Sequence, residues 1–224
     1  MKLVHTEYGI EIELKENQIS VLVVESPEKF SELIQELYLS RQGGEGKFLL
    51  SEGDKLLNMG KLLELVVNPF VIDVNEKRIV QKLYQEMEAQ VQEQLVLETA
   101  EIHSRLISYL EEIAGKMVYP VTFDLEENIL GLMKTYNVRL ETEGITLLEK
   151  LVEYFKLLHQ LCKIEVVVCV NLKNYLSENE LCQLYEAAFY EKIALVLLEN
   201  VQKERVEGER ICIMDRDRCI IDLE

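Results

Sequence analysis

No run of apolar residues in this 224-residue chain approaches the roughly 20 that a membrane-spanning helix needs. A secretory signal peptide is also missing, because charged residues follow Met1 too soon. The chain is nevertheless 48% apolar, which is enough to build a substantial core. The sequence therefore predicts a globular protein, located in the cytoplasm, with no membrane partner.

Cysteine and histidine patterns typical of metal or redox sites are absent. The cysteine count is odd, no Cys-x-x-Cys pair occurs, and several cysteines lie in apolar runs, so we expect reduced thiols packed in the core. The cysteines are Cys162, Cys169, Cys182, Cys212 and Cys219. The histidines, His5, His103 and His159, lack the spacing of zinc ligands, which argues against a zinc site.

Signatures of catalysis are missing as well. No Gly-x-Ser-x-Gly motif is present. The nearest approach to a phosphate-binding loop is Gly46 followed by Lys47, but Arg41 occupies the earlier glycine position and Phe48 the Ser or Thr position. We therefore predict no catalytic residue and no enzymatic activity.

Positive charge is scarce in this sequence. It has 24 basic and 41 acidic residues, for a formal net charge of −17. Such a charge repels a phosphate backbone unless basic groups gather on one surface or cations intervene. Composition by itself therefore argues against nucleic-acid binding.

The first part of the chain predicts strands followed by a helix. Ser26 and Pro27 indicate the start of that helix, since serine caps helices and proline tolerates the first helical position. Its apolar stripe extends to Tyr38, and the glycine-rich residues 43–46 predict a turn. The predicted strands are residues 2–6, 10–14, 19–24 and 47–50.

Residues 75–144 predict a mostly helical domain inserted into the rest of the chain. Apolar residues recur at helical spacing from Ile79 to Leu95, and a second helical pattern ends near Gly115. Asp124 is a candidate cap for a third helix, and residues 138–140 are a possible short strand.

The last third of the chain predicts a parallel βαβ unit. The runs 164–170 and 193–198 are too apolar for solvent-facing strands. Between them, Ser177 and Glu180 form the pattern of a capping box. A helix at 147–161 and a terminal hairpin around residues 215–217 complete an α/β domain, so that residues 1–74 together with 145–224 form one domain and residues 75–144 the other.

Two sets of charged side chains are candidate binding residues. Basic residues near the predicted rim of the sheet and the helical domain are Lys134, Arg139, Lys173, Lys203, Arg205 and Arg210. Each alone is explained as a solvated surface charge, and their meaning changes only if several subunits gather them around one opening. Asp124, Glu126 and Glu127 form an oxygen-rich cluster that suits calcium, although carboxylates near a helix N-terminus also complement its dipole.

The order and length of these elements resemble the small type II-A CRISPR adaptation protein family. The resemblance extends over nearly the whole chain, and no single segment of it is a catalytic motif. The segments that carry it are residues 21–24 (VLVV), 123–128 (FDLEEN), 139–142 (RLET), 166–180 and 194–200 (ALVLLEN).

The resemblance implies a degenerate P-loop-like α/β domain with a helical domain, assembled as a homotetrameric ring that encloses linear double-stranded DNA. It further implies calcium bound by acidic residues, which makes Asp124, Glu126 and Glu127 the expected ligands. Lys134 and Arg139 become the first candidates for the DNA-lined hole, followed by Lys173, Lys203 and Arg205. The implied function is spacer acquisition, alongside the CRISPR integrase complex and the RNA-guided effector nuclease.

Two other functions stay open at the level of sequence. A divergent nucleotide-dependent enzyme would use Asn171 and Glu199, which end two buried strands where an active nucleotide hydrolase holds its magnesium or water-activating group. A scaffold would instead bind a protein partner through the helical residues 75–144, without contacting DNA.

Overall fold

The computed structural model describes residues 1–126, 128–141 and 146–223. It divides the chain into two compact units, residues 1–74 with 142–224 and residues 75–141. Glu127, one of the predicted calcium ligands, lies outside the described residues. Within those residues, no helix is both long and apolar enough to cross a membrane.

The first unit is a mixed α/β structure with two sheets. Its strands are β1 (Lys2–His5), β2 (Glu11–Glu13), β3 (Ile19–Val24), β4 (Phe48–Glu52), β5 (Lys55–Leu57), β6 (Leu63–Val66), β7 (Val166–Val170), β8 (Ala194–Glu199), β9 (Glu209–Met214) and β10 (Ile220–Leu223). Its helices are α1 (Pro27–Arg41), α2 (Met59–Leu62), α6 (Leu147–Gln160) and α7 (Glu178–Tyr190). Short 3-10 turns lie at Pro69–Val71 and Leu172–Asn174.

The larger sheet contains the predicted parallel strands. Its order is β10-β9-β3-β8-β7-β6, and only β10 runs antiparallel to its neighbour. Every residue of β3 and β7 is buried, which explains their continuous apolar sequence. β7 and β8 pair in parallel and are connected through α7, so the predicted βαβ unit is confirmed.

The main core lies between this sheet, α1 and the smaller antiparallel sheet β2-β1-β4-β5. Leu22 and Val24 of β3 belong to the same buried cluster as Leu33 and Leu37 of α1. Tyr38, predicted to continue the apolar stripe of α1, is 50% exposed instead, because its side chain points about 100° around the helix from that of the buried Leu37.

Two helix starts of the α/β unit that capping residues predict are confirmed. Ser26 accepts a hydrogen bond from the backbone of Lys29, and Pro27 occupies the first turn of α1. At the start of α7, Ser177 and Glu180 form the complete reciprocal capping box. The β4–β5 hairpin and the short α2 were not predicted, since their few apolar residues give no clear period.

In the second unit, the described residues form the helices α3 (Lys77–Gln94), α4 (Val96–Gly115) and α5 (Ile129–Thr135). Two predictions about it are wrong. Residues 138–140 form no strand, because their backbone bonds to side chains of α3 and its N-terminal flank. Asn128, rather than Asp124, caps α5 by accepting a hydrogen bond from the amide of Gly131 at 2.6 Å.

Candidate nucleic-acid interface

A groove between α3, α5 and the segment after α5 gathers positive charge in the helical unit. It has a volume of about 980 Å³, and we call it the basic groove. Its polar lining residues are Asn75, Lys77, Gln81, Tyr84, Gln85, Lys134, Asn137 and Arg139. None of the described residues that line it is acidic, which is unusual in a chain with a net charge of −17.

The end of α5 brings Lys134 and Arg139 to the same groove. Asn137 adopts a left-handed backbone with φ of 49°, and the next amide, of Val138, donates to the carbonyl of Met133 at 3.0 Å. A left-handed residue followed by such a hydrogen bond is a common way to end a helix, and it turns the chain directly after α5. Asparagine tolerates the left-handed region better than most residues, so its presence here has a conformational reason.

Side chains from the α3 region then fix the backbone on both sides of Arg139. The Tyr84 hydroxyl donates to the Val138 carbonyl at 3.0 Å. The Asn75 side chain donates to the Leu140 carbonyl at 2.9 Å and accepts from the Leu140 amide at 2.8 Å. Arg139 lies between these two anchored residues with its own side chain exposed, so its position is set by backbone contacts while its guanidinium faces solvent.

The cations of the basic groove are available for a ligand. Lys77, Lys134 and Arg139 are exposed, and none of them forms an ion pair with the described residues. Lys116, elsewhere in this unit, pairs with Glu112 at 2.7 Å. The groove therefore presents three unneutralised positive charges along a concave surface, which is the arrangement that phosphate groups favour.

Lys173 lies elsewhere, in the α/β unit, and is 7% exposed. Its ammonium lies 2.9 Å from the Glu209 carboxylate and donates to the Glu204 carbonyl at 2.7 Å. The Tyr185 hydroxyl donates to the same carboxylate at 2.6 Å. This placement replaces the predicted DNA contact of Lys173 with a structural role, because a phosphate cannot reach an ammonium that is buried in an ion pair.

Lys203 and Arg205 lie closer to the surface and bond to the backbone of the two residues that form this buried ion pair. The Lys203 ammonium donates to the Lys173 carbonyl at 2.9 Å, and the Arg205 guanidinium donates to the Glu209 carbonyl at 3.1 Å. Arg210 lies on β9, within 3.8 Å of Glu13. The structure thus separates the predicted cations into Lys134 and Arg139 in one unit and Lys173, Lys203 and Arg205 in the other.

The acidic residues predicted to bind calcium precede α5. Asp124 and Glu126 are exposed and lie at least two residues before the Asn128 cap, so they fall outside the first helical turn where the dipole acts. No group of three His, Cys, Asp or Glu side chains placed to hold a metal occurs in the described ranges. Calcium takes six to eight oxygen ligands, so a calcium site here would need oxygen donors beyond these two carboxylates.

The helical unit also has an apolar surface along α4. α4 has no buried residue, and a groove of about 600 Å³ runs along it, with Asp124 and Glu126 at its border. The most exposed apolar side chains of α4 are Leu97, Val96, Ile102, Tyr109 and Leu106, at 78%, 55%, 54%, 62% and 44%. Of these, Ile102 and Leu106 line the groove. Exposed apolar surface in a concave site is typical of an interaction site.

The structure gives two reasons why a nucleotide is poorly accommodated in the α/β unit. Only Glu25 and Ser26 separate β3 from α1, which leaves no space for a glycine-rich phosphate loop. Lys47 donates to Glu7 at 2.6 Å and lies 3.2 Å from Glu36, and these carboxylates raise its pKa. Glu36 is also bonded to the buried His5, so Lys47 belongs to a structural network.

Lys77 is the groove residue that sequence analysis missed. It lies in the first turn of α3, more than fifty positions before Lys134, so no local pattern connects the two. Only the packing of α3 against α5 brings them to one surface.

Comparison with known proteins identifies the class of this chain. Residues 41–218 match a family model described as CRISPR-associated protein (Cas_Csn2). The CRISPR-associated protein Csn2 of Enterococcus faecalis is 24% identical over 197 residues, covering 87% of this chain and 86% of that protein. The Csn2 protein of Streptococcus agalactiae is 26% identical over 177 residues, covering 75% of each chain.

The chain is therefore a CRISPR-associated protein. Within that class, it belongs to the Csn2 family, since the family model matches well over half of its length. The resemblance found from the order of its elements is confirmed at this level.

Proposed function

We propose that this protein is a non-enzymatic CRISPR adaptation protein that binds the ends of linear double-stranded DNA without reading their sequence. The basic groove carries the proposal, because Lys77, Lys134 and Arg139 face solvent there without an acidic neighbour among the described lining residues. Contacts from lysine and arginine to phosphate supply affinity but no base specificity. Binding that is mainly electrostatic also allows a protein to slide along DNA.

The net charge of −17 is reconciled with DNA binding by assembly. In the proposed homotetrameric ring, four copies of the basic groove face one central hole and multiply the number of phosphate contacts. Charges on the outside of such a ring lie farther from the DNA than a Debye length of about 8 Å at physiological salt, so their repulsion is screened. The exposed apolar face of α4 supports assembly, since its burial between copies would remove it from water.

Calcium is proposed as a support for the ring rather than as a reactant. Asp124 and Glu126 are oxygen donors of the kind that calcium prefers, and Glu127 is the third proposed ligand. Both described carboxylates border the apolar groove along α4. An ion bound there would neutralise negative charge close to the proposed contact between copies and thereby favour assembly.

The proposed partners within the cell follow from the family to which the chain belongs. They are the CRISPR integrase complex and the RNA-guided effector nuclease, with which a DNA-end-binding ring would act during spacer acquisition. We assign no surface of this chain to either partner.

The test of this function combines native mass analysis with a mobility-shift assay on linear and covalently closed circular duplex DNA. Both measurements are made in calcium and again after chelation. We expect a tetramer that binds linear duplex and scarcely binds the closed circle, because a closed ring reaches DNA only over an end. Chelation is expected to weaken both assembly and binding.

Equal binding of both DNA forms would contradict threading, and unchanged assembly in chelator would contradict the calcium role. An oligomer that binds no DNA would favour the second candidate function, a protein-interaction scaffold. The apolar face of α4 is the observation that favours this alternative.

A further inference from the structure

The segment that connects β8 to β9 is held to the α/β unit mainly by polar contacts. Residues 200–208, which we call the crossover, join two strands that lie on opposite sides of β3. Val206 is the only residue of the crossover that is buried, and Val201 is 58% exposed. Apolar burial therefore contributes little to holding the crossover in place.

The polar contacts of the crossover converge on Lys173 and Glu209. The Val206 amide donates to the Glu209 carboxylate at 3.0 Å, and the Lys173 ammonium donates to the Glu204 carbonyl at 2.7 Å. At the start of the crossover, the Asn200 amide donates to the Asn171 side chain at 3.1 Å. At the end of the crossover, the Gly208 carbonyl accepts the Ile19 amide of β3 at 2.9 Å. Between these two ends, the crossover is held mainly by one buried ion pair and the groups around it.

Glu199 immediately precedes the crossover and is 1% exposed. One of its oxygens, Oε1, accepts the Lys173 amide at 3.1 Å. The other, Oε2, has no hydrogen-bond partner in the part of the chain that the structure describes. A protonated carboxyl tolerates this position better than a carboxylate, which leaves a half-satisfied charge buried away from water.

The groups around Glu199 oppose each other electrostatically. Lys173 and Lys203 favour its ionised form, and Glu209, on β9, opposes it. Tyr185 of α7 and Cys169 of β7 are the other titratable groups within its field. Burial outweighs the lysines and raises the pKa of Glu199 to about 7.

We propose that the crossover is a strap that is fastened while Glu199 is protonated and that opens locally when Glu199 ionises. Opening brings water to the carboxylate and releases the amides of Asn200 and Val206 from their acceptors. Ionisation also places a second carboxylate in competition with Glu209 for the Lys173 ammonium. The strap depends on the α/β unit alone, so its test is independent of DNA binding.

The sign of the pH effect follows from the raised pKa. In the open state Glu199 titrates near its ordinary value of 4.5, and in the fastened state near 7. The fastened state therefore loses population as the pH rises from about 4.5 to about 7 and changes no further above that range. Between pH 6 and pH 8 this linkage increases the opening constant about tenfold.

Hydrogen exchange measured by mass spectrometry tests the strap. Exchange of peptides covering residues 200–208 is compared between the wild type and Glu199→Gln at pH 6, 7 and 8, since the ratio at each pH cancels the intrinsic effect of hydroxide. For the crossover peptides, we expect the ratio of the wild-type to the variant exchange rate to rise about tenfold between pH 6 and pH 8. Peptides from β3 or α1 should show no such change.

A matched control is Glu64→Gln, which changes another buried carboxylate of the same sheet. It should leave the pH dependence of crossover exchange as in the wild type. A ratio that stays constant with pH, or one that rises equally across the α/β unit, would overturn the proposal. If Glu199→Gln does not fold, wild-type exchange divided by the intrinsic peptide rate at each pH gives the same test.

Discussion

At the scale of single residues, most buried charge in this protein has a structural explanation. Lys173, Glu209 and Tyr185 satisfy one another beneath the crossover. His5 bonds to Glu36, while its other ring nitrogen accepts the amides of Glu7 and Tyr8. Glu199 is the exception, because one of its buried oxygens lacks a partner among the described residues.

Replacing Lys173 with methionine should destabilise the protein strongly. The substitution leaves the Glu209 carboxylate buried without its cation, which typically costs about 3–5 kcal/mol of unfolding free energy. Urea unfolding followed by circular dichroism measures this change. Lys156→Met, at an exposed position of α6, is the matched control and should stay within about 0.5 kcal/mol of the wild type.

Adding Glu209→Gln to Lys173→Met should recover part of the lost stability, since the double variant no longer buries an unpaired charge. A single variant as stable as the wild type would show that the ion pair does not fasten the crossover.

At the scale of elements, the basic groove depends on how two helices and one turn are arranged. α3 and α5 supply Lys77 and Lys134, and the turn at Asn137 adds Arg139. The hydrogen bonds of Asn75 and Tyr84 fix the backbone next to Arg139. These contacts connect positions 54 and 65 residues apart, so the groove is a tertiary feature of the helical unit.

The double substitution Lys134→Gln with Arg139→Gln should weaken binding to linear duplex DNA of any sequence. Each lost phosphate contact should also reduce the magnitude of the slope of log K against log salt by about 0.9. Fluorescence anisotropy across a salt series measures both quantities.

The control for this pair is Lys82→Gln with Lys116→Gln, which removes the same charge from the same unit outside the basic groove. Equal losses of affinity in the two double variants would mean that net charge, rather than the groove, governs DNA binding.

At the scale of the whole molecule, the net charge of −17 has opposite consequences for folding and for DNA binding. Like charges repel one another across the folded surface, and salt reduces this repulsion. The same salt weakens the attraction between lysine or arginine and phosphate. Stability and DNA affinity should therefore respond to ionic strength in opposite directions.

Raising the salt concentration should increase the Tm of the free protein while decreasing its affinity for DNA. The Debye length falls from about 30 Å at 0.01 M to about 8 Å at 0.15 M, which screens most repulsion between surface carboxylates. Differential scanning fluorimetry measures the first effect. At a pH near the isoelectric point of about 4.7 the rise should disappear, and a Tm that falls with salt at pH 7 would contradict the explanation.

The sequence by itself determined the local structure of the α/β unit. The signals that predicted its elements each lie within a few residues of one another. They are serine and proline at a helix start, a capping box, and continuous apolar runs, and the structure has the predicted element at each of them. Local signals were weaker in the helical unit. There the sequence predicted Asp124 as the cap of α5, whereas Asn128 is the residue that caps it.

Only the tertiary structure decided which charged residues share a surface. Lys173 looks like any solvated lysine in the sequence, yet packing buries it against Glu209, while Lys77 joins Lys134 and Arg139 in one groove. Hydrophobic periodicity reports which face of an element is buried, but it carries no information about which distant element covers that face. The environment of an ionisable group is set by those long-range contacts, and for Glu199 they decide its protonation near neutral pH.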